Sequence, residues 1–269
     1  MKKPTFYSVF IALSFTLFLA PVHVRSQDQQ AMYFQLAYMK VKPGKYADYM
    51  KIEKEIWKPI HQERIKKGQS TGWFMYEVLY PSGTEAEYDF VIINAVNSWN
   101  GIEHMYDGYM EMAKKILTKD QLSFMEKTNE TRDMVKVELW AFNDGIFDTQ
   151  DIAPKYLVTN FMKIRDGNWQ EYMDLEINLA KPVHQEDINT GGRAGWAVYG
   201  LVLPYSDNRL YDAAAVDFYH TWDQYGNSDT SDIWKKIHPE KGESYIARQI
   251  ENTRSLVKQD VLYLVDYVD

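Results

Sequence analysis

"KPIHQE" (residues 58–63) returns as "KPVHQE" (residues 181–186), with five of the six letters shared 123 positions apart. The same offset keeps matching on both sides of the hexapeptide. Met39-Lys40 meets Met162-Lys163, Gly44 meets Gly167, Tyr49-Met50 meets Tyr172-Met173, and Glu53 meets Glu176. Downstream, Gly72-Trp73 meets Gly195-Trp196, Tyr76 meets Tyr199, and Pro81 meets Pro204. Tyr88-Asp89 then meets Tyr211-Asp212, and Trp99 meets Trp222. After one deletion, Thr131-Arg132 meets Thr253-Arg254. Roughly a third of positions agree over about 60 residues without a gap, rare Trp and Pro among them. The chain is a tandem duplication.

Each half reads as strand, helix, strand, strand, helices, strand. In the first half a strand over 33–41 ends at Pro43-Gly44. A helix over 45–66 carries Tyr46, Tyr49, Met50, Ile56, Trp57 and Ile60 at helical spacing. Gly68 and Gly72 bracket its stop, and strands follow over 73–80 and 88–96. Helical segments occupy 100–131, with a cap-and-start "TKDQ" at Thr118, and a last strand covers 135–142. The second half repeats this order and ends with a strand over 261–268. The resulting division is a leader 1–26, a first repeat 27–142, a connector 143–154 and a second repeat 155–269.

Strand, helix, strand, strand, helix, strand is the split βαβ, or ferredoxin-like, unit, an α+β design with helices on one face of its sheet. The strand "WFMYEVLY" (73–80) is apolar on both faces, as is "YDFVIINAV" (88–96). Such strands are buried on both sides. The economical cover is the sister half, so the two sheets are expected to pack against each other as an eight-stranded, barrel-like core with helices outside. That arrangement, with its helix–Gly–Trp–strand order, resembles the dimeric α+β barrel superfamily. Its families include the antibiotic-biosynthesis-monooxygenase-like, NIPSNAP-like and chlorite-dismutase-like proteins. The resemblance spans essentially the whole mature chain and lies in topology, with no motif of a single family. It implies a pocket between sheet and helices. The chemistry it implies is drawn from cofactor-free oxygenases, isomerases and cyclases, or from haem enzymes.

Lys2 and Lys3, an apolar run from Phe6 to Ala20, and Val24-Arg25-Ser26 read as a cleavable export signal. The run is shorter than the ~20 residues that a membrane helix needs. A periplasmic or extracellular location is expected, with no membrane attachment after cleavage near Ser26. The chain has no cysteine, so its core alone must hold it together. Losing Lys2, Lys3 and Arg25 with the leader takes the net charge from −8 to −11. That acidity speaks against nucleic acid and anionic membranes as partners, and solubility is its plain explanation; a small-molecule ligand is what the resemblance implies. Oligomeric state stays open.

Proline within a helix removes a backbone bond and collides with the preceding turn, at a cost of about 3 kcal/mol. Pro59 and Pro182 are therefore expected to bend the first helix of each half or to restart it, freeing the carbonyls of Glu55 and Asn178. Tyr49, Glu53, Trp57 and His61 form one helical stripe; Tyr172, Glu176, Ala180 and His184 form its counterpart. Ala180 in place of Trp57 predicts a hollow in the second half. There His184 is the candidate base, with Glu186 or Glu176 orienting it and Tyr172 alongside. Candidate ligand contacts are His61, Glu63, Asp212, Asp217, Arg254 and Trp196, with Arg254 as an anion clamp. The competing reading makes the retained His and Glu fasteners between helix and sheet, and pairs Asp89 and Asp212 with turn or ion-pair duties. No spacing approaches the His-Glu-x-x-His zinc pattern, so neither metal nor cofactor is expected. A haem reading would call on His104 or His238, which do not align at the repeat offset. Two function classes remain: a cofactor-independent enzyme on a small aromatic or oxo compound, and a non-catalytic binding or assembly module.

Overall fold

The lysine that precedes each repeated proline reaches back five residues, not four: Lys58 N–H bonds Glu53 O, and Lys181 N–H bonds Glu176 O. Each proline thus follows a wide π-turn, Glu53–Trp57 and Glu176–Ala180. In this computed structural model, which describes residues 31–150 and 152–269, the first helix of each half therefore runs on through its proline. One wider turn relieves the clash, and the proline sits at the second position of the next α segment, where its missing N–H costs nothing. Of the two carbonyls expected to be freed, Glu55 O is taken by Gln121 Nε2 (3.3 Å); in the second half His238 Nε2 reaches not Asn178 O but the next carbonyl, Leu179 O (2.9 Å).

Around these turns the first half comprises β1 (Tyr33–Val41), α1 (Tyr46–Ile52), α2 (Lys58–Lys66), β2 (Gly72–Tyr80) and β3 (Phe90–Val96). Four short helices, α3 (Trp99–Glu103), α4 (Tyr109–Ile116), α5 (Lys119–Met125) and α6 (Thr128–Thr131), lead into β4 (Arg132–Phe147). The second half repeats the plan: β5 (Tyr156–Ile164), α7 (Trp169–Leu175), α8 (Lys181–Asn189), β6 (Gly195–Leu203) and β7 (Ala213–Tyr219). It closes with α9 (Trp222–Gly226), α10 (Ser231–Ile237), α11 (Glu243–Thr253) and β8 (Arg254–Val268). Gly68 and Gly191, at φ +71° and +81°, are the left-handed residues that stop α2 and α8. Thr118 forms the full capping box on α5, and Thr221 forms another on α9.

The strands close into one barrel in the order β1-β3-β2-β8-β5-β7-β6-β4, every pair antiparallel. Each half keeps the ferredoxin-like order 4-1-3-2, and two seams, β2·β8 and β4·β6, join the halves. Strands β4 and β8 make this possible by their length, 16 and 15 residues. Val41 to Tyr33 of β1 pair along Arg132 to Ala141, and β6 pairs along Leu139 to Phe147. Residues 143–147, assigned to the connector from sequence, are thus the strand that stitches the halves together. The export signal falls outside the described residues.

The barrel interior is one cluster drawn from both halves, including Tyr38, Tyr76, Val91 and Trp140 with Leu157, Phe161, Ala197 and Val216. At one point it is polar. Glu138 takes hydrogen bonds from Tyr38 (2.8 Å), Tyr211 (2.5 Å) and Trp140 Nε1 (3.1 Å), with Lys136 Nζ 3.5 Å away. Its second-half counterpart, Asp260, takes one from Tyr88 and lies 3.4 Å from Lys258. Each acid thus receives a tyrosine of the sister half. Outside the barrel, α1 packs Tyr49 on Trp73, Met75 and Phe90, and α7 packs Tyr172 and Met173 on Trp196 and Val198.

Candidate functional site

Between the sheet and the helices of each half lies a cavity, about 540 Å³ in the first half and about 280 Å³ in the second. The π-turns set their polar walls. A π-turn rotates its residues away from the α register, and each one begins with a buried glutamate, Glu53 or Glu176, both 2% exposed. The first residue of the closing strand faces each acid: Arg132 from β4 and Arg254 from β8.

In the first half that pair is closed, with Arg132 Nε donating to Glu53 Oε1 at 3.1 Å. In the second half it is open: Arg254 Nε stands 3.9 Å from Glu176 Oε1, and neither atom has a hydrogen-bond partner. Burial pushes the Glu176 carboxyl up to about 7; the Arg254 guanidinium opposes this and the Asp217 carboxylate adds to it. The Tyr172 hydroxyl beside it is also without a hydrogen-bond partner. Burial, then the neighbouring Glu176, drives that phenol well above its usual range.

His184 stacks on Trp196 (centroids 5.2 Å apart, planes at 20°), as His61 stacks on Trp73 (5.3 Å, 16°). Burial, aided by Arg193, pushes the His184 imidazole well below its usual pKa, so the ring is neutral. Its Nδ1 has no partner. Beside it Arg193 is fully engaged, with Nε on Asp187 at 2.6 Å and Nη1 on Asp217. Asn160 Nδ2 adds a 3.1 Å bond to Asp217. The rest of the second cavity is apolar, with Met162, Leu175, Leu179, Trp234, Ile246 and Ile250 in its wall.

No protein-family model matches the chain, and no curated protein matches it in sequence. Solved structures match across nearly its whole length. A candidate monooxygenase of Fusobacterium nucleatum subsp. nucleatum shares 10% identity over 89% of this chain and 94% of that one, with a TM-score of 0.56. A variant of the chlorite dismutase of Candidatus Nitrospira defluvii shares 7% over 87% and 91%, at 0.52. A candidate monooxygenase of Lactobacillus acidophilus shares 10% over 87% and 93%, at 0.50. The chain has the fold of a dimeric α+β barrel, with both halves in one polypeptide. Identities this low speak for the fold alone.

In this barrel Glu176, His184, Trp196, Asp217 and Arg254 do meet, all in the second cavity, with Tyr172 packed behind them. Three expected residues line neither sheet–helix cavity. Glu186 pairs with Lys236 Nζ at 2.5 Å and cannot orient His184, because two residues along a helix is just over half a turn and puts the side chains on opposite faces. Glu63 is taken by Lys66 (2.6 Å) on the surface. Asp212 accepts from Ile164 N (2.8 Å) and Arg209 Nε (2.5 Å), as Asp89 accepts from Val41 N (2.8 Å), so both acids are strand-end fasteners.

His61 lines the first cavity, which is the larger one, contrary to the hollow expected from Ala180. Trp57 stands at the side, stacked on Tyr109 (6.2 Å, 30°), while in the second half Trp234, Ile246 and Ile250 of the outer helices press into the space. The outer helices set the volume; position 57/180 does not. The histidines of a haem reading do not fit either cavity. His104 pairs with Asp107 (2.8 Å), His238 holds Leu179 O, and neither lines a sheet–helix cavity. Among the described residues, no three His, Cys, Asp or Glu side chains are placed to hold a metal, and no helix is long and apolar enough to cross a membrane.

Sequence reading missed two exchanges at matched positions, Arg64 for Asp187 and Ser70 for Arg193, which give the cavities different charge. It also missed the repeated Lys-x-acid pairs, Lys136-x-Glu138 and Lys258-x-Asp260, visible at an offset of 122.

Proposed function

We propose that this is an exported enzyme that takes a small aromatic or oxo compound into the second-half cavity and moves a proton on it without a cofactor. The observation that carries the reading is the open Glu176–Arg254 pair, a buried carboxyl raised to about 7 beside an unpaired guanidinium N–H. A base poised near neutrality is what proton abstraction at ordinary pH requires. Glu176 takes a proton from carbon next to a carbonyl. The oxygen that gains the charge is met by Arg254, whose donors are already in place and already desolvated. Return of the proton to another carbon completes an isomerisation. Neutral His184 offers a hydrogen bond to the bound molecule, and Trp196 fixes the plane of its ring.

The test is deuterium wash-in from D₂O at carbons next to the carbonyl in a panel of small aromatic ketones, followed by NMR. The wild-type protein should exchange at least one of them. Glu176→Gln should bind that compound, seen as an unchanged rise in Tm, and lose the exchange by about 100-fold or more. Exchange surviving in Glu176→Gln would sink the reading. A panel in which nothing binds would favour the alternative of a non-catalytic module whose paired motifs are scaffolding.

A further inference from the structure

Arg64 of α2 is 1% exposed, yet among the described residues no carboxylate lies within ion-pair distance of it. Its Nη1 meets His61 Nδ1 at 2.6 Å and Asn94 Oδ1 at 3.4 Å, and its face lies over the Tyr106 ring at 4.7 Å. Its Nε and Nη2 are buried without a partner. A buried, permanently charged group left without a counter-charge is costly. The second half shows the compensated version of the same place. There the arginine comes from position 193, Asp187 stands where Arg64 does, and Asp217 replaces Asn94; both acids bind Arg193. The first half has the cation and lacks both anions.

The three side chains that its guanidinium meets, His61, Asn94 and Tyr106, line the 540 Å³ cavity, and Arg64 lies directly behind them. Since Arg64 can only donate, His61 Nδ1 is the acceptor, and the neutral ring keeps its proton on Nε2 as a donor. Asn94, with its oxygen toward Arg64, likewise presents its amide NH₂, which reaches Tyr106 Oη at 3.4 Å. Lys114 and Glu126 offset each other in the wall, and the Arg132–Glu53 pair is already closed, which leaves Arg64 as the uncompensated charge behind it. Around these donors the cavity is lined by Met39, Ile92, Met110, Leu122 and Met125. A volume of this order suits a small organic molecule rather than an ion alone.

We propose that the first-half cavity binds a small organic monocarboxylate with an apolar body, its carboxylate supplying the counter-charge that Arg64 lacks. This site is separate from the proton-transfer cavity of the second half, and either can stand without the other. Tyr106, 43% exposed and stacked on the guanidinium, is the side chain that makes way for the anion.

The experiment is calorimetric titration of the full-length mature protein with phenylacetate and with its uncharged isostere, phenylacetamide. Phenylacetate should bind at least 10-fold more tightly. The decisive variant is Asn94→Asp, which gives Arg64 the internal carboxylate that Asp217 gives Arg193. It should raise Tm and weaken phenylacetate at least 10-fold without changing phenylacetamide. Arg64→Gln should remove the preference for the charged ligand, and Glu176→Gln should leave it intact. Equal binding of acid and amide by the wild-type protein, or an Asn94→Asp variant that keeps full affinity for phenylacetate, would overturn the proposal. Binding of inorganic phosphate in place of either organic ligand would overturn it as well.

Discussion

Arg132 Nε donates to Glu53 Oε1 at 3.1 Å, whereas its repeat partner Arg254 Nε stops 3.9 Å from Glu176 Oε1. One duplicated pair has thus settled into a closed ion pair in the first half and a gap in the second. The folded pKa of Glu176, about 7, lies above its ordinary value of 4.5. Between those values the folded protein holds a proton that the unfolded chain has released, so stability falls as pH rises through the window. A shift of this size corresponds to about 3 kcal/mol. Urea melts at pH 5 and pH 8 should show Glu176→Gln gaining about that much on the wild type at the higher pH. A gap between the two proteins that stays constant with pH would show an unperturbed carboxyl.

Lys258 Nζ lies 3.4 Å from Asp260, which is 1% exposed and whose Oδ1 has no hydrogen-bond partner. Burial raises the Asp260 pKa even with Tyr88 and Lys258 beside it. Lys258→Met strips the carboxylate of its cation and should cost about 3 kcal/mol at pH 8, in line with breaking a buried pair. At a pH low enough to protonate Asp260 the loss should shrink, because a neutral carboxyl needs no cation. Equal losses at both pH values, by denaturant titration, would assign the effect to packing instead.

Trp196 is 1% exposed and carries both the α7 contacts and the His184 ring. Trp196→Ala should destabilise by about 3–5 kcal/mol. Glu186→Gln, which removes only a surface partner of Lys236, should stay within about 0.5 kcal/mol of the wild type. Thermal melts of the two variants check both expectations. A large loss for Glu186→Gln would make that residue a fastener of the helix rather than a surface partner of Lys236.

The architecture was legible because duplication repeats large, rare side chains at a fixed offset: Trp73 and Trp196 are matched in sequence and equally buried. Strands apolar on both faces required a second cover, and the sister half supplies it. The sequence showed two prolines in helices and suggested a bend or a restart at the proline. A backbone that absorbs proline by widening one turn cannot be told from a bent one by letters alone, and this turn is what places Glu53 and Glu176. Glu186 and Asp212 were drawn into the site by their repetition, yet repetition marks fasteners as well as chemistry. The charge exchange between Arg64 and Asp187 was written in the sequence. Its meaning depends on Arg193 and Asp217 being neighbours across the fold, which spacing does not reveal.

The central claim is that β4 and β8 join the two repeats into one closed barrel. Native-state hydrogen exchange on the full chain measures this most directly, at the amides of Leu139–Phe147 that face β6 and of Trp73–Val78 that face β8. The closed barrel predicts that seam amides exchange only by global opening, as slowly as those between β1 and β3 within one half. Seam amides that exchange freely while each half stays protected would mean two separate sheets, and would contradict the account.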